Sequence, residues 1–251
     1  MTQLIYDQLS ELRLHAMKNE LLRQQAVPAI ESLSFEERFG MLVQYQLDAK
    51  HDAKTRRLLR NAKLRNSNAS IKNILFSPNR KLDRALVARL SDCSFIKQNK
   101  HLLFTGATGT GKSYLASAFG REACILGYSV KSYRLPLLLV ELANARSDGT
   151  FFKLMNNLKK PDLLIIDDFG LQKLDPESSR DLLEVIEDRY VSEKPLIITS
   201  QLPLNKWIEV FKDLTIADAI MDRIVHNSFN IELKGPSLRA NGTNILEEKE
   251  N

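Results

Sequence analysis

The sequence predicts an α/β fold, a parallel five-stranded sheet flanked by helices and preceded by a small all-α domain. Three observations predict it. From His101 onward, short apolar runs bounded by Gly, Asp or Pro alternate with helical segments, as strands buried on both faces and joined by crossover helices require. In the first 75 residues the apolar positions recur only at helical spacing. Charge is also divided: residues 1–50 sum to −2, residues 51–100 to +10 and residues 101–251 to −3.

In the first part, Leu4, Ile5, Leu9, Leu12, Met17, Leu21 and Leu22 mark helical turns over residues 2–26, broken near Leu14–His15 and stopped before Pro28. A second helix starts at Ser34, with Glu37 three residues on. This is a capping box, in which each side chain satisfies an unpaired N–H of the first turn. From Phe35 to about Arg65 nothing breaks the helix, and KLDRALVARLSD reads as a short helix beyond Pro78. A boundary is expected near residue 75, giving a helical domain over 1–75, an α/β domain over 76–239 and a polar, acidic, disordered tail over 240–251.

The strands read as HLLFTG (101–106), YSVKSYR (128–134), DLLIIDD (162–168), PLIITS (195–200) and FNIELKG (229–235). Helices follow the first strand to about Leu126, then cover LPLLLVELANAR, ESSRDLLEVIEDRYVS and a stretch near 215–227.

Composition excludes several classes. No apolar run approaches the roughly 18 to 20 residues that span a bilayer, and MTQLIYDQLSELR lacks a signal peptide's layout. Cys93 and Cys124 stand 31 positions apart with no CxxC motif. That argues for a reducing cytoplasm and against a disulfide scaffold or zinc site.

Gly106-Ala107-Thr108-Gly109-Thr110-Gly111-Lys112-Ser113 fits GxxxxGK[ST] and lies between an apolar strand and a helix. Its glycines let backbone N–H groups turn inward on phosphate oxygens, and the helix N-terminus adds partial positive charge. Lys112 can reach the β- and γ-phosphates and Ser113 can ligate Mg²⁺, so the cofactors expected are ATP and Mg²⁺. Tyr114 is grouped with these contacts.

LLIIDD supplies the second half: Asp167 is expected to hold the metal and Asp168 to polarise the attacking water. Two aspartates can also simply end a strand at a turn; the P-loop 55 residues upstream favours the catalytic reading. If the 195–200 strand lies between the P-loop and Asp167 strands, Ser200 or Gln201 reaches the γ-phosphate or its water. Arg223 reads either as a surface partner of Asp222 or as an arginine aimed at a neighbour's nucleotide. Arg239 reads as a tail charge or a second phosphate contact.

Lys54, Arg56, Arg57, Arg60, Lys63 and Arg65 form a basic stretch in which Asp52 is the only carboxylate between residues 49 and 82. A charge run is often only a solvated face. Here the charges lack local partners, with Arg56, Arg60 and Lys63 on one face and Arg57 and Arg65 loosely on another. Unpaired cations on a rigid rod suit the phosphate backbone of duplex DNA, and the aromatics of single-strand binders are missing.

Together LRLHAMKNEL, SFEERFGMLV, the basic helix, FTGATGTGKSYLA, LLIIDDFG, IITSQLP, DRIVHN and GPSLR resemble the IstB-type transposition helper ATPases, which are similar to the helicase loader DnaC and the initiator DnaA within the AAA+ superfamily. The resemblance covers roughly residues 3–239. It implies an AAA+ core with Lys112 and Ser113 in Walker A, Asp167 and Asp168 in Walker B, Ser200 and Gln201 at sensor I, Arg223 as a finger acting in trans and Arg239 at sensor II. It also implies ATP-dependent homo-oligomers on duplex DNA that direct a partner transposase. The alternatives left open are a DnaC-like helicase loader, a small-molecule P-loop kinase and a DNA-binding adaptor with a decayed ATP site.

Overall fold

A computed structural model describes residues 2–30 and 32–238. The chain divides into two compact units, Met1–Arg57 and Leu58–Asn251.

The first unit holds α1 (Thr2–Glu11), α2 (His15–Ala26) and most of α3 (Phe35–Ala62). The capping box forms as expected: the Ser34 N–H donates to Glu37 Oε2 at 2.8 Å, and the Glu37 N–H to Ser34 Oγ at 3.2 Å. Buried Gln24 donates to the Arg38 carbonyl at 3.0 Å and ties α2 to α3. α3 stops at Ala62, three residues before the expected Arg65, because Lys63 turns into the left-handed region at φ 50. Lys63 and Arg65 therefore leave the helical faces expected for them.

The units part between residues 57 and 58, not near 75. Ala62 and Ile74, with partly buried Leu58, Leu59, Leu64, Ile71 and Phe76, join a cluster with Leu102, Phe104 and Phe119. The basic residues between them hid this apolar set, which belongs to the second unit's core.

Beyond residues 58–76 that unit continues with α4 (Arg84–Leu90), capped by Asp83, and α5 (Ser94–Lys97). Then come β1 (His101–Gly106), α6 (Lys112–Ile125), β2 (Val130–Arg134), α7 (Leu135–Ser147), α8 (Phe151–Lys159), β3 (Leu163–Phe169), α9 (Pro176–Val191), β4 (Leu196–Ser200), α10 (Leu214–Val225) and β5 (Ser228–Leu233). The five strands are parallel in the order β2-β3-β4-β1-β5, so β4 lies between β1 and β3 as the sensor argument requires. α8 was not foreseen.

Alternate strand residues feed two cores. Leu103, Leu164, Ile166 and Ile198 face α7, α9 and α10; Leu102, Phe104, Ile165 and Ile197 face α6 and residues 58–96. This period of two is why the strands are apolar throughout. No described helix is long and apolar enough to cross a membrane. Arg239 and the tail over 240–251 lie outside the described residues.

Candidate nucleotide site

The P-loop joins β1 to α6. Its tight wrap needs glycine at Gly109, where φ is 84 and an added Cβ would meet Ser237 Oγ at 2.0 Å. The Leu238 N–H closes the same loop from outside, donating to the Gly109 carbonyl at 2.9 Å. Lys112 is buried and its Nζ donates to the Gly106 and Ala107 carbonyls at 2.7 and 2.8 Å, so its charge stands over the loop mouth. A cleft of about 420 Å³ opens there, bounded among others by Thr108, Lys112, Ser113, Tyr114, Asp168 and Gln201.

β3 delivers the carboxylates. Ser113 Oγ donates to Asp167 Oδ1 at 2.8 Å, joining the two halves of the motif. Thr199 Oγ1, from β4, donates to the same Oδ1 and accepts from the Asp168 N–H at 3.1 Å. Asp168 sits at a register shift between β3 and β4 with φ 64. Left-handed backbone is unusual away from glycine and is held only where its surroundings impose it. Here it swings the second carboxylate off the strand line toward the cleft. Arg134, at the end of β2, donates from Nε to Asp168 Oδ2 at 2.9 Å.

The candidates for the third strand separate. Ser200 is fully buried and donates to the Phe169 carbonyl at 2.8 Å, which corrects its expected role at the phosphate. Gln201 is exposed to the cleft and accepts from Thr108 Oγ1 at 2.8 Å.

Arg65 lies in this site, not on the exposed basic stretch that was expected to meet DNA. Its Nη1 is 2.5 Å from Asp167 Oδ2, 2.9 Å from Asp168 Oδ2 and 3.5 Å from Ser113 Oγ. These contacts, the Asp167 hydrogen bond first, hold the guanidinium pKa above its ordinary value. Lys54, Arg56, Arg57, Arg60 and Lys63 are exposed. Arg223 is outside the cleft, ion-paired with Glu187 and donating to the Ala219 carbonyl at 2.8 Å.

Hard oxygen donors on Ser113, Asp167 and Asp168 suit Mg²⁺, and a guanidinium among them marks the cage as one that takes positive charge. No group of three His, Cys, Asp or Glu among the described residues could hold a metal alone. The remaining ligands would be phosphate oxygens and water.

A P-loop whose serine bonds an acid from the next strand but one of a parallel sheet is an ATP-site geometry, and the sequence around it has relatives. The family of IstB-like ATP binding proteins matches residues 7–244. The chain belongs to that family. A putative insertion sequence ATP-binding protein of Sinorhizobium fredii is 43% identical over 211 residues, covering 84% of this chain and 85% of the relative. AMPPCP-bound DnaA from Aquifex aeolicus superimposes with TM-score 0.59 at 19% identity, covering 74% of this chain and 56% of that one. The DnaC helicase loader gives 0.55 at 21% identity, covering 66% and 97%. The second unit of this IstB-like protein thus has the AAA+ fold.

Sequence reasoning missed Thr199, Arg134 and Arg80, whose Nη2 donates to the P-loop carbonyl of Thr110 at 2.8 Å. Strand periodicity carried a signal for the first, since it sets Thr199 and Gln201 on one side and Ser200 on the other.

Proposed function

We propose that this protein hydrolyses ATP and uses the cycle to assemble on duplex DNA and assist a transposase in target selection and transposition. The observation that carries the reading is the 2.8 Å bond from Ser113 Oγ to Asp167 Oδ1, at the mouth of a loop that also carries Lys112. Membership of the IstB-like family and the insertion-sequence relative support the transposition setting. Nothing comparable favours a kinase.

Backbone N–H groups of 106–112 would grip the phosphates, with Lys112 on the β- and γ-oxygens. Ser113 and Asp167 would hold Mg²⁺, which supplies charge neutralisation on those oxygens. Thr199 fixes the Asp167 carboxylate. Asp168 would accept the proton of a water held by Gln201. Arg65 and Arg134 both sit on Asp168 Oδ2, so at least one must withdraw before that oxygen can meet a water. Arg223 would complete a neighbour's site once freed from Glu187, and Arg239 would add a phosphate contact. Exposed Lys54, Arg56, Arg57, Arg60 and Lys63 would track the DNA backbone. Buried free Cys93 and Cys124, their thiols pushed up to about 12 by burial, fit a reducing cytoplasm.

The test pairs ATP titration with light scattering on about 60 base pairs of duplex DNA at moderate salt. Lys112→Ala should lose ATP binding by about tenfold or more, the scale of one charge-assisted hydrogen bond. Large assemblies should need both ATP and DNA. Tight ATP binding retained by the variant would sink the P-loop assignment; assembly only with a ring helicase on single strands would favour the loader reading.

A further inference from the structure

Arg65 reaches the acids through a local device. Lys63 ends α3 in the left-handed region. Leu64 then packs against Gly120 of α6, where an added Cβ would meet Leu64 Cδ2 at 2.9 Å. The Asn66 N–H donates to Ser117 Oγ at 3.3 Å, and Ser117 Oγ donates in turn to the Ser113 carbonyl at 2.8 Å. Residues 64–66 are thus laid across the first turns of α6, and Arg65 between the two anchors is sent over the P-loop serine.

A single nitrogen, Arg65 Nη1, makes all three approaches, to Asp167, Asp168 and Ser113. Those are the side chains that would serve Mg²⁺. A magnesium–oxygen bond is only about 2.1 Å long, so an ion bound by Ser113 and Asp167 would stand against Nη1, cation to cation. Charge argues the same way. Asp167 and Asp168 together carry two negative charges, and Arg65 and Arg134 already balance them. The Arg65 side chain is 36% exposed, so it has open solvent to swing into, whereas the Asp167 side chain at 3% has none.

We propose that Arg65 is an internal cation of this site that exchanges with Mg²⁺. Without the metal it pairs with both acids and, beside Arg134, covers Asp168 Oδ2. When the metal enters with the nucleotide, the guanidinium leaves, and the site is armed by the same event that loads it. Its backbone anchors hold, so the exchange is a side-chain swing beside α6. The nucleotide arm rests on the ATP reading above; the metal arm does not.

The experiment follows thermal unfolding and ATP binding of the full chain and of Arg65→Ala, in EDTA, in MgCl₂ alone, in ATP with EDTA, and across a magnesium titration with ATP. Wild type should show little stabilisation by MgCl₂ alone, because Arg65 fills the cage. Arg65→Ala should melt lower in EDTA and recover on adding MgCl₂. The magnesium needed for half-maximal ATP binding should fall about tenfold, the scale of one charge-assisted hydrogen bond. Arg65→Gln, which keeps the length without the charge, should behave likewise and serves if the alanine variant does not fold. An unchanged magnesium midpoint together with no MgCl₂ response in either variant would overturn the proposal. So would a higher magnesium requirement, which would make Arg65 a phosphate or metal helper. If ATP binding is absent or independent of Lys112, the nucleotide reading fails instead, and the MgCl₂-only arm still decides the exchange.

Discussion

The Arg80 guanidinium, only 4% exposed, donates from Nη2 to the Thr110 carbonyl at 2.8 Å and braces the P-loop from behind. Nη1 donates to the Leu75 carbonyl, and the Arg80 carbonyl accepts from the Lys234 N–H at 3.1 Å. One residue therefore ties the segment before β1, the P-loop and the strand-5 exit together. Burial lowers its pKa, and Nε has no partner, so the contact is held at a cost.

Arg80→Ala should strand two carbonyls and leave a cavity behind Gly111. The expected loss is about 2–4 kcal/mol of stability with weaker ATP binding. Urea unfolding and an ATP titration at a temperature where the variant is folded check this. Full stability with normal ATP affinity would show that the P-loop keeps its shape unaided.

Thr199 holds both acids, bonding the Asp167 carboxylate and the Asp168 N–H. Thr199→Val keeps the shape and removes the hydroxyl. Turnover should drop by about tenfold or more while the KM for ATP moves little, and Thr199→Ser should restore much of it. A KM effect with unchanged kcat would place Thr199 in ground-state binding and not in setting the acids.

The P-loop, the pair of acids and the strands themselves could be read because each rests on a local pattern: glycine spacing, an apolar run ending in carboxylate, continuous apolar runs. The order of β1, β4 and β3 could only be supposed, since pairing between distant strands leaves no local mark. What stayed hidden depends on where the chain turns. Lys63 adopts a positive φ without being glycine, so no residue type announced the end of α3, and Arg65 read as one more charge on a rod. Arg80 meets Thr110 across 30 positions through a single 3₁₀ turn that carries no periodicity. The domain limit was misplaced for a related reason, since the apolar side chains of 58–76 pack against a sheet that comes later in the chain.

Arg65 and its neighbours in the basic stretch should now behave differently toward DNA. Replacing Arg56, Arg57 and Arg60 by Ala should flatten the dependence of log affinity on log salt by up to about 0.9 for each phosphate no longer neutralised. Arg65→Ala, measured in EDTA, should leave that slope where it was, because its charge is spent on Asp167 and Asp168. Equal flattening by both variants would return Arg65 to the set of residues proposed to meet DNA.

His101, at the start of β1, is buried between strand and helix: Nδ1 accepts from the Leu196 N–H at 2.9 Å and Nε2 donates to the Arg223 carbonyl at 3.1 Å. Both ring nitrogens are used by the neutral form, and burial pushes the pKa from 6.5 down to about 4. Below pH 6.5 the unfolded chain takes up a proton that the folded chain refuses until about pH 4. The unfolded state then binds more protons, so this contribution is fully present above pH 6.5 and is lost as pH falls, by up to about 1.4 kcal/mol per unit across that window. His101→Gln should be less stable at neutral pH but should lose less on acidification. Urea unfolding of both proteins at several values between pH 7.5 and 5 isolates the difference. Parallel curves would mean that His101 accepts its proton without disturbing β1, and that its two hydrogen bonds do not hold the neutral ring in place.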